Sequence, residues 1–149
     1  MADSGIGYWF EDKTRAALDK LRASDEVFYH RWPDSHAAGR FLPTAPADFL
    51  VGCNGRALLL ECKASVKAVS LRGCLASMVD DDQVGSHRLW HLAGLDSWFL
   101  FYSERLGQVE MWQGWRVVKA RHGGIALTGQ VDFEFGLDEM VEFLPELFR

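Results

Sequence analysis

Charge is out of place in the segment Arg56-Ala-Leu-Leu-Leu-Glu-Cys-Lys-Ala-Ser65. A continuous Ala-Leu-Leu-Leu run has the composition of a central strand buried on both faces. It runs straight into Glu61 and Lys63, which share one side because strand side chains repeat every two residues. An ionised group buried without a partner costs several kcal/mol. Glu61 and Lys63 must therefore be paired, metal-bound or at the exposed rim of the sheet. Asp48 stands thirteen residues before Glu61, across a Gly-Cys-Asn-Gly segment (52 to 55) that signals a hairpin. Antiparallel pairing about that turn brings Asp48 to the level of Leu59 to Glu61. Two carboxylates and an ammonium then converge at one end of the sheet. Mg²⁺ favours one or two carboxylates with waters and phosphate oxygens. A lysine beside them can orient water or steady developing phosphoryl charge. A rim salt bridge is the competing reading, since Glu-x-Lys recurs at Glu11-Asp12-Lys13. That second copy falls in a helical stretch, where residues two apart face different ways.

Glu11 lies two helical turns before Leu18 and so near the inward face of the first helix. Reaching Asp48 and Glu61 would make it a further ligand or water orienter; pairing with Lys13, Arg15 or another neighbour would make it an edge glutamate. His87 and His91 are four apart on a helix, but a zinc-peptidase helix would need Glu where Arg88 stands, so a structural or surface role is expected. Cys62 faces away from Glu61 and reads as packing. Most of the six tryptophans read as core, with Trp32 kept as a base-stacking candidate in a basic loop. Arg31, Arg40, Lys67 and Arg72 flank the carboxylates in sequence and are candidates for phosphate contact.

Alternating elements position these residues. Ser4 to about Leu21 is helical, with Ile6, Trp9, Phe10, Ala17, Leu18 and Leu21 spaced for one face. Val27 to Trp32 reads as a strand, and the proline-rich Pro33 to Pro46 as a loop. Ala47 to Val51 and Arg56 to Lys63 form the hairpin. Ser65 to Met78 has no clear period. A helix runs from near Val79 to Gly94, with Asp80, Asp81 and Asp82 at its positive end. Ser97 to Ser103 and Gln108 to Trp115 read as strands, and Leu137 to Leu144 as a short helix stopped by Pro145. This order is an α/β domain, a mixed sheet flanked by helices.

The 149 residues suit a single domain, 1 to 149, with a core over about 5 to 115 and an acidic helical segment over about 132 to 149. No apolar run reaches the roughly 20 residues of a membrane span. Three cysteines without paired spacing and a neutral N-terminus fit a reduced, cytoplasmic setting. The net charge of −5 does not exclude nucleic acid: from Asp132 onward there are six acids and one base, leaving 15 of each before it. Between His30 and Arg72 the bases outnumber the acids, a local footprint for phosphate or an ordinary solvated face.

Asp48 followed by Glu61-Cys62-Lys63 resembles the PD-(D/E)xK nuclease superfamily. Gly7-Tyr-Trp-Phe10-Glu11 is similar to the Gly-x-x-Phe-Glu helix of RecU-like and archaeal-type Holliday junction resolvases. Gln83, followed by His87 and Leu89, is similar to the Gln-bearing helix of the RecU group. Pro46-Ala-Asp48-Phe and Leu60-Glu-Cys-Lys-Ala-Ser65 also resemble small phage-encoded nucleases. The resemblance spans residues 5 to about 112 and implies a restriction-endonuclease-like core and a hydrolase that cuts DNA phosphodiesters with Mg²⁺, for which Mn²⁺ substitutes. It implies that Asp48, Glu61 and the Cys62 carbonyl ligate metal and that Lys63 polarises the attacking water. Glu11 would complete a second metal site or fix a metal-bound water, and Gln83 would orient substrate or a group on the metal. It also implies branched or four-way DNA as partner, and a homodimer, since paired nicks suit a two-fold protein. The Pro33 to Pro46 excursion is short for the stalk of RecU proteins, and the acidic C-terminus, a dimer surface or solubilising cap, has no counterpart there. Rival readings are another nuclease of this fold, of nicking, repair or restriction type, and a catalytically silent nucleic-acid-binding or interaction module.

Overall fold

Asn54 and Gly55, with φ of 52° and 75°, form the two-residue turn between β2 (Phe49–Cys53) and β3 (Arg56–Ser65). Positive φ at both central positions matches the right-handed twist of antiparallel strands and fixes their register. Cys53 pairs with Arg56 and Phe49 with Leu60, so Asp48, one residue before β2, arrives level with Glu61. The computed structural model describes residues 4–33 and 45–149; Arg40 and most of the expected 33–46 loop lie outside them.

Among the described residues this hairpin sits within one mixed sheet of six strands in chain order. β1 (Phe28–Arg31) pairs antiparallel with β2, and β4 (Asp96–Ser103) runs parallel to β3. β5 (Gln108–Gln113) and β6 (Phe133–Gly136) extend the other side antiparallel. Helices cover both faces, so the chain has the expected α/β fold of a mixed sheet flanked by helices.

Side-chain alternation sorts the two faces. Leu58, Leu60, Cys62 and Ala64 of β3 pack with Leu100 and Tyr102 of β4 beneath α1 (Ser4–Ala23). That helix turns Phe10, Thr14, Ala17, Leu18 and Leu21 inward, a spacing of three and four residues. Phe99 and Phe101 face the other way, beneath α2 (Leu75–Met78), α3 (Asp81–Leu92) and α4 (Gly114–Gly123). Each such fully buried side chain stabilises the fold by about 1.5–3 kcal/mol relative to exposure.

Several expectations need correction. The helix expected from near Val79 starts at Asp81: Asp80 caps it by accepting from the Gln83 N–H, while the Gln83 side chain accepts from the Asp80 N–H. Residues 114–123, read in part as strand, form α4. β6 was not anticipated. The C-terminal segment is one α-helical turn, α5 (Met140–Phe143), followed by a 3-10 turn over Leu144–Phe148 that Pro145 opens and does not stop. This segment packs Leu144, Leu147 and Phe148 into the core under α1, so it completes the core. Of the tryptophans only Trp112 is fully buried, and Trp9 is 40% exposed. Among the described residues no helix is long and apolar enough to cross a membrane.

Candidate active site

Four elements converge where β2 begins and β3 nears its end. The Asp48 carbonyl accepts from the Trp32 N–H at 3.0 Å, which prolongs the β1–β2 pairing by one step. Its carboxylate Oδ2 accepts from the Cys62 N–H at 2.8 Å, taking a ladder position that β2 itself no longer fills. A residue's N–H and C=O leave a strand on the same side, so the Cys62 carbonyl opens toward Asp48. The Cys62 thiol goes the other way, buried under α1 and donating to Thr14 Oγ1 at 3.5 Å. Burial holds that thiol well above its usual range. Its side chain is packing, as the strand alternation suggested.

Glu61 and Lys63 point to the α3 face, with Lys63 Nζ 3.5 Å from Glu61 Oε1. The same oxygen accepts from Gln83 Nε2 at 2.9 Å. Gln83 thus uses its amide oxygen on the α3 cap and its amide nitrogen on Glu61, tying the carboxylate to the helix N-terminus. Asp48 and Glu61 face each other closely enough for each to act on the other's titration. Burial, then the Glu61 charge, holds the Asp48 carboxyl well above the usual carboxylate range. Burial also raises Glu61, against the opposing pull of Lys63.

Glu11 is paired with a neighbouring cation, as the edge-glutamate reading has it. It pairs with Arg31, whose Nε lies 3.0 Å from Oε1, and it lies near enough to Asp48 to feel its charge. Burial first, then Asp48, raises its carboxyl, while Arg31 opposes the shift. The α1 glutamate therefore lies within electrostatic range of Asp48 while Arg31 holds it.

The candidate DNA contacts divide. Arg31 is engaged by Glu11 and by Asp12 at 2.9 Å. Trp32 is half-buried, edge-on to His30 with ring centroids 5.4 Å apart. Lys67 is exposed just beyond β3, past Lys63. Arg72 lies over the Trp112 indole on β5 and donates to the Gly129 carbonyl, so it is anchored two strands from the Asp48–Glu61 pair. Arg40 lies outside the described residues.

His87, expected in a structural or surface role, is buried, and Glu110 was not singled out in the sequence. His87 is 1% exposed beside Glu61, and burial, then Lys63, lowers its pKa to about 4. Its position four residues after Gln83 was the available signal, since both then lie on one helical face. Glu110 is a buried carboxylate on β5 that accepts from Ser70 Oγ, the Leu71 N–H and Trp112 Nε1 at 2.9–3.0 Å. With three donors it is a structural hub. His91, by contrast, stacks on Trp115 with centroids 4.1 Å apart.

Among the described residues no three His, Cys, Asp or Glu side chains are gathered so as to hold a metal ion by themselves. The set available is the two buried carboxylates of Asp48 and Glu61, plus the Cys62 backbone carbonyl. These are hard oxygen donors of the number that Mg²⁺ or Mn²⁺ takes from a protein when phosphate and water supply the rest. The donor set fits such an ion.

No protein-family model and no curated protein matches the chain. Among solved structures it is similar to Hjc, a Holliday junction resolvase from the archaeal hyperthermophile Archaeoglobus fulgidus. The two are 12% identical with a TM-score of 0.48, over 89% of this chain and 94% of that one. The side-chain geometry above is independent of that likeness.

Proposed function

We propose that this chain is a Mg²⁺-dependent DNA endonuclease with a PD-(D/E)xK site on a restriction-endonuclease-like core. In this reading it resolves branched DNA, four-way junctions above all, as a homodimer. The observation that carries the proposal is the Asp48–Glu61 contact with Lys63 beside it. Two buried carboxylates side by side are costly to hold charged together, an arrangement that weakens a fold unless a cation is to sit there. A salt bridge alone would need one of them.

Asp48, Glu61 and the Cys62 carbonyl would hold the ion. When bound, Mg²⁺ or Mn²⁺ supplies Lewis-acid charge and lowers the pKa of an attacking water. Lys63, on the same face as Glu61, orients that water and steadies the negative charge gathering on the phosphoryl oxygens. Gln83 keeps Glu61 in one rotamer. Glu11 would add a third carboxylate, to fix a water or a second ion. Lys67 and Trp32, near the two ends of this group, are the side chains best placed for backbone and base contact. The paired cuts of a four-way junction ask for two such sites related by a two-fold axis.

The test is cleavage of a synthetic four-way junction with and without Mg²⁺, beside flap and linear duplex. The parent chain cuts the junction only with metal. Asp48→Asn and Glu61→Gln bind the junction without cutting it, and Lys63→Met loses about 10²–10³ in rate. Full activity in either carboxylate variant would remove the assignment, and preference for flap or duplex would replace the resolvase reading with another nuclease of this type.

A further inference from the structure

Among the described residues, the two ring nitrogens of His87 are the buried side-chain nitrogen and oxygen atoms that lack any hydrogen bond. Its ring leans on Phe99, centroids 4.6 Å apart, and Nε2 stops 3.9 Å from Glu61 Oε2. An unsatisfied buried donor or acceptor destabilises a fold, and a leucine would fill similar space without that cost. The other Glu61 oxygen, Oε1, already takes Gln83 and Lys63. Oε2 is the oxygen that looks toward His87.

We propose that His87 is a positioning residue for Glu61 in its metal-holding state, its Nε2–H closing on Oε2 to fix the carboxylate that Gln83 fixes through Oε1. This rests on the metal-site reading of Asp48 and Glu61. An N–H···O bond spans about 2.7–3.2 Å, so the closure needs a shift of roughly 1 Å. A cation held by Asp48 and Glu61 would leave the Glu61 carboxylate to settle between His87 and Gln83. Imidazole carries at least one N–H in every protonation state, and the tautomer with hydrogen on Nε2 is open to it. Partners of this kind, which hold a ligand and not the metal, set affinity by about 10–100-fold.

The experiment is calorimetric titration of Mn²⁺ into the full chain without DNA, with thermal midpoints measured in metal-free buffer. The parent binds Mn²⁺. His87→Leu binds about 10–100-fold more weakly, with a metal-free midpoint equal to or above that of the parent. His87→Gln, which keeps an N–H donor, recovers most of the affinity. Equal Mn²⁺ affinity in parent and His87→Leu would overturn the inference. So would a His87→Leu chain that fails to fold, or a His87→Gln chain no better than leucine, because the ring would then be structural. A parent chain that binds no Mn²⁺ would instead bring down the metal-site reading itself.

Discussion

At the scale of single residues, chemistry and stability oppose each other at Asp48. Its folded-state carboxyl titrates well above 3.8, chiefly because it is buried and then because Glu61 is charged. Above 3.8 the unfolded chain has lost that proton while the folded chain still keeps it. Stability therefore falls as pH rises from 3.8 through the raised value. Asp48→Asn removes this loss: its amide can donate to Glu61 while its oxygen still accepts from the Cys62 N–H. In metal-free buffer at pH 7 the variant should melt about 2–5 °C above the parent, with the gain vanishing near pH 3. Thermal melts across that range check it, and an equal gain at both ends would show that charge is not the cause. The residues of this pair were legible because a two-residue period and a thirteen-residue spacing suffice to place them. The contact of His87 with Glu61 was not, because it depends on which face of a helix meets β3. Glu110 is the counterexample, a buried strand carboxylate that three local donors satisfy.

Among elements, the legible ones carry their own punctuation. Asn54-Gly55 announces the β2–β3 turn, and the aspartates from Asp80 announce the start of α3. α4 has no such signal. β5 ends at Gln113 and α4 begins at Gly114 with no loop between them, and Trp115, Val117 and Val118 have the β propensity of a continuing strand. Gly114 makes the abrupt change workable. A Cβ there would lie 1.8 Å from Ser97 Oγ and 2.8 Å from the Ser97 carbonyl oxygen. The hydroxyl could rotate away, but the carbonyl belongs to the backbone of β4. Gly114→Ala should therefore push α4 off the sheet and cost about 3 kcal/mol, read from the midpoint of chemical denaturation. A cost below about 0.5 kcal/mol would mean that the helix can slide freely at that point.

Across the whole molecule, charge pattern misleads where burial decides. The excess of acids after Asp132 reads as a solubilising tail or a docking surface. Yet the acids at 138 and 142 are exposed, while Leu144, Leu147 and Phe148 meet Leu18 and Leu21 of α1. The Phe148 carbonyl also accepts from Arg56 Nη1 at 3.2 Å, tying the end of the chain to the start of β3. Composition reports the exposed acids, and only tertiary contact reveals the apolar side beneath them. Two substitutions separate these roles. Neutralising Asp138 and Glu142 together, as Asp138→Asn with Glu142→Gln, should leave stability within about 0.5 kcal/mol. Phe148→Ala should cost about 3 kcal/mol, because it opens a cavity under α1. The second loss should also reach function, since α1 carries Glu11 and loosening its floor frees that carboxylate from the Asp48–Glu61 group. Denaturation midpoints and junction cleavage measured on the same variants would test both statements. If the charge-neutral pair lost stability while Phe148→Ala did not, the tail would belong to the surface after all.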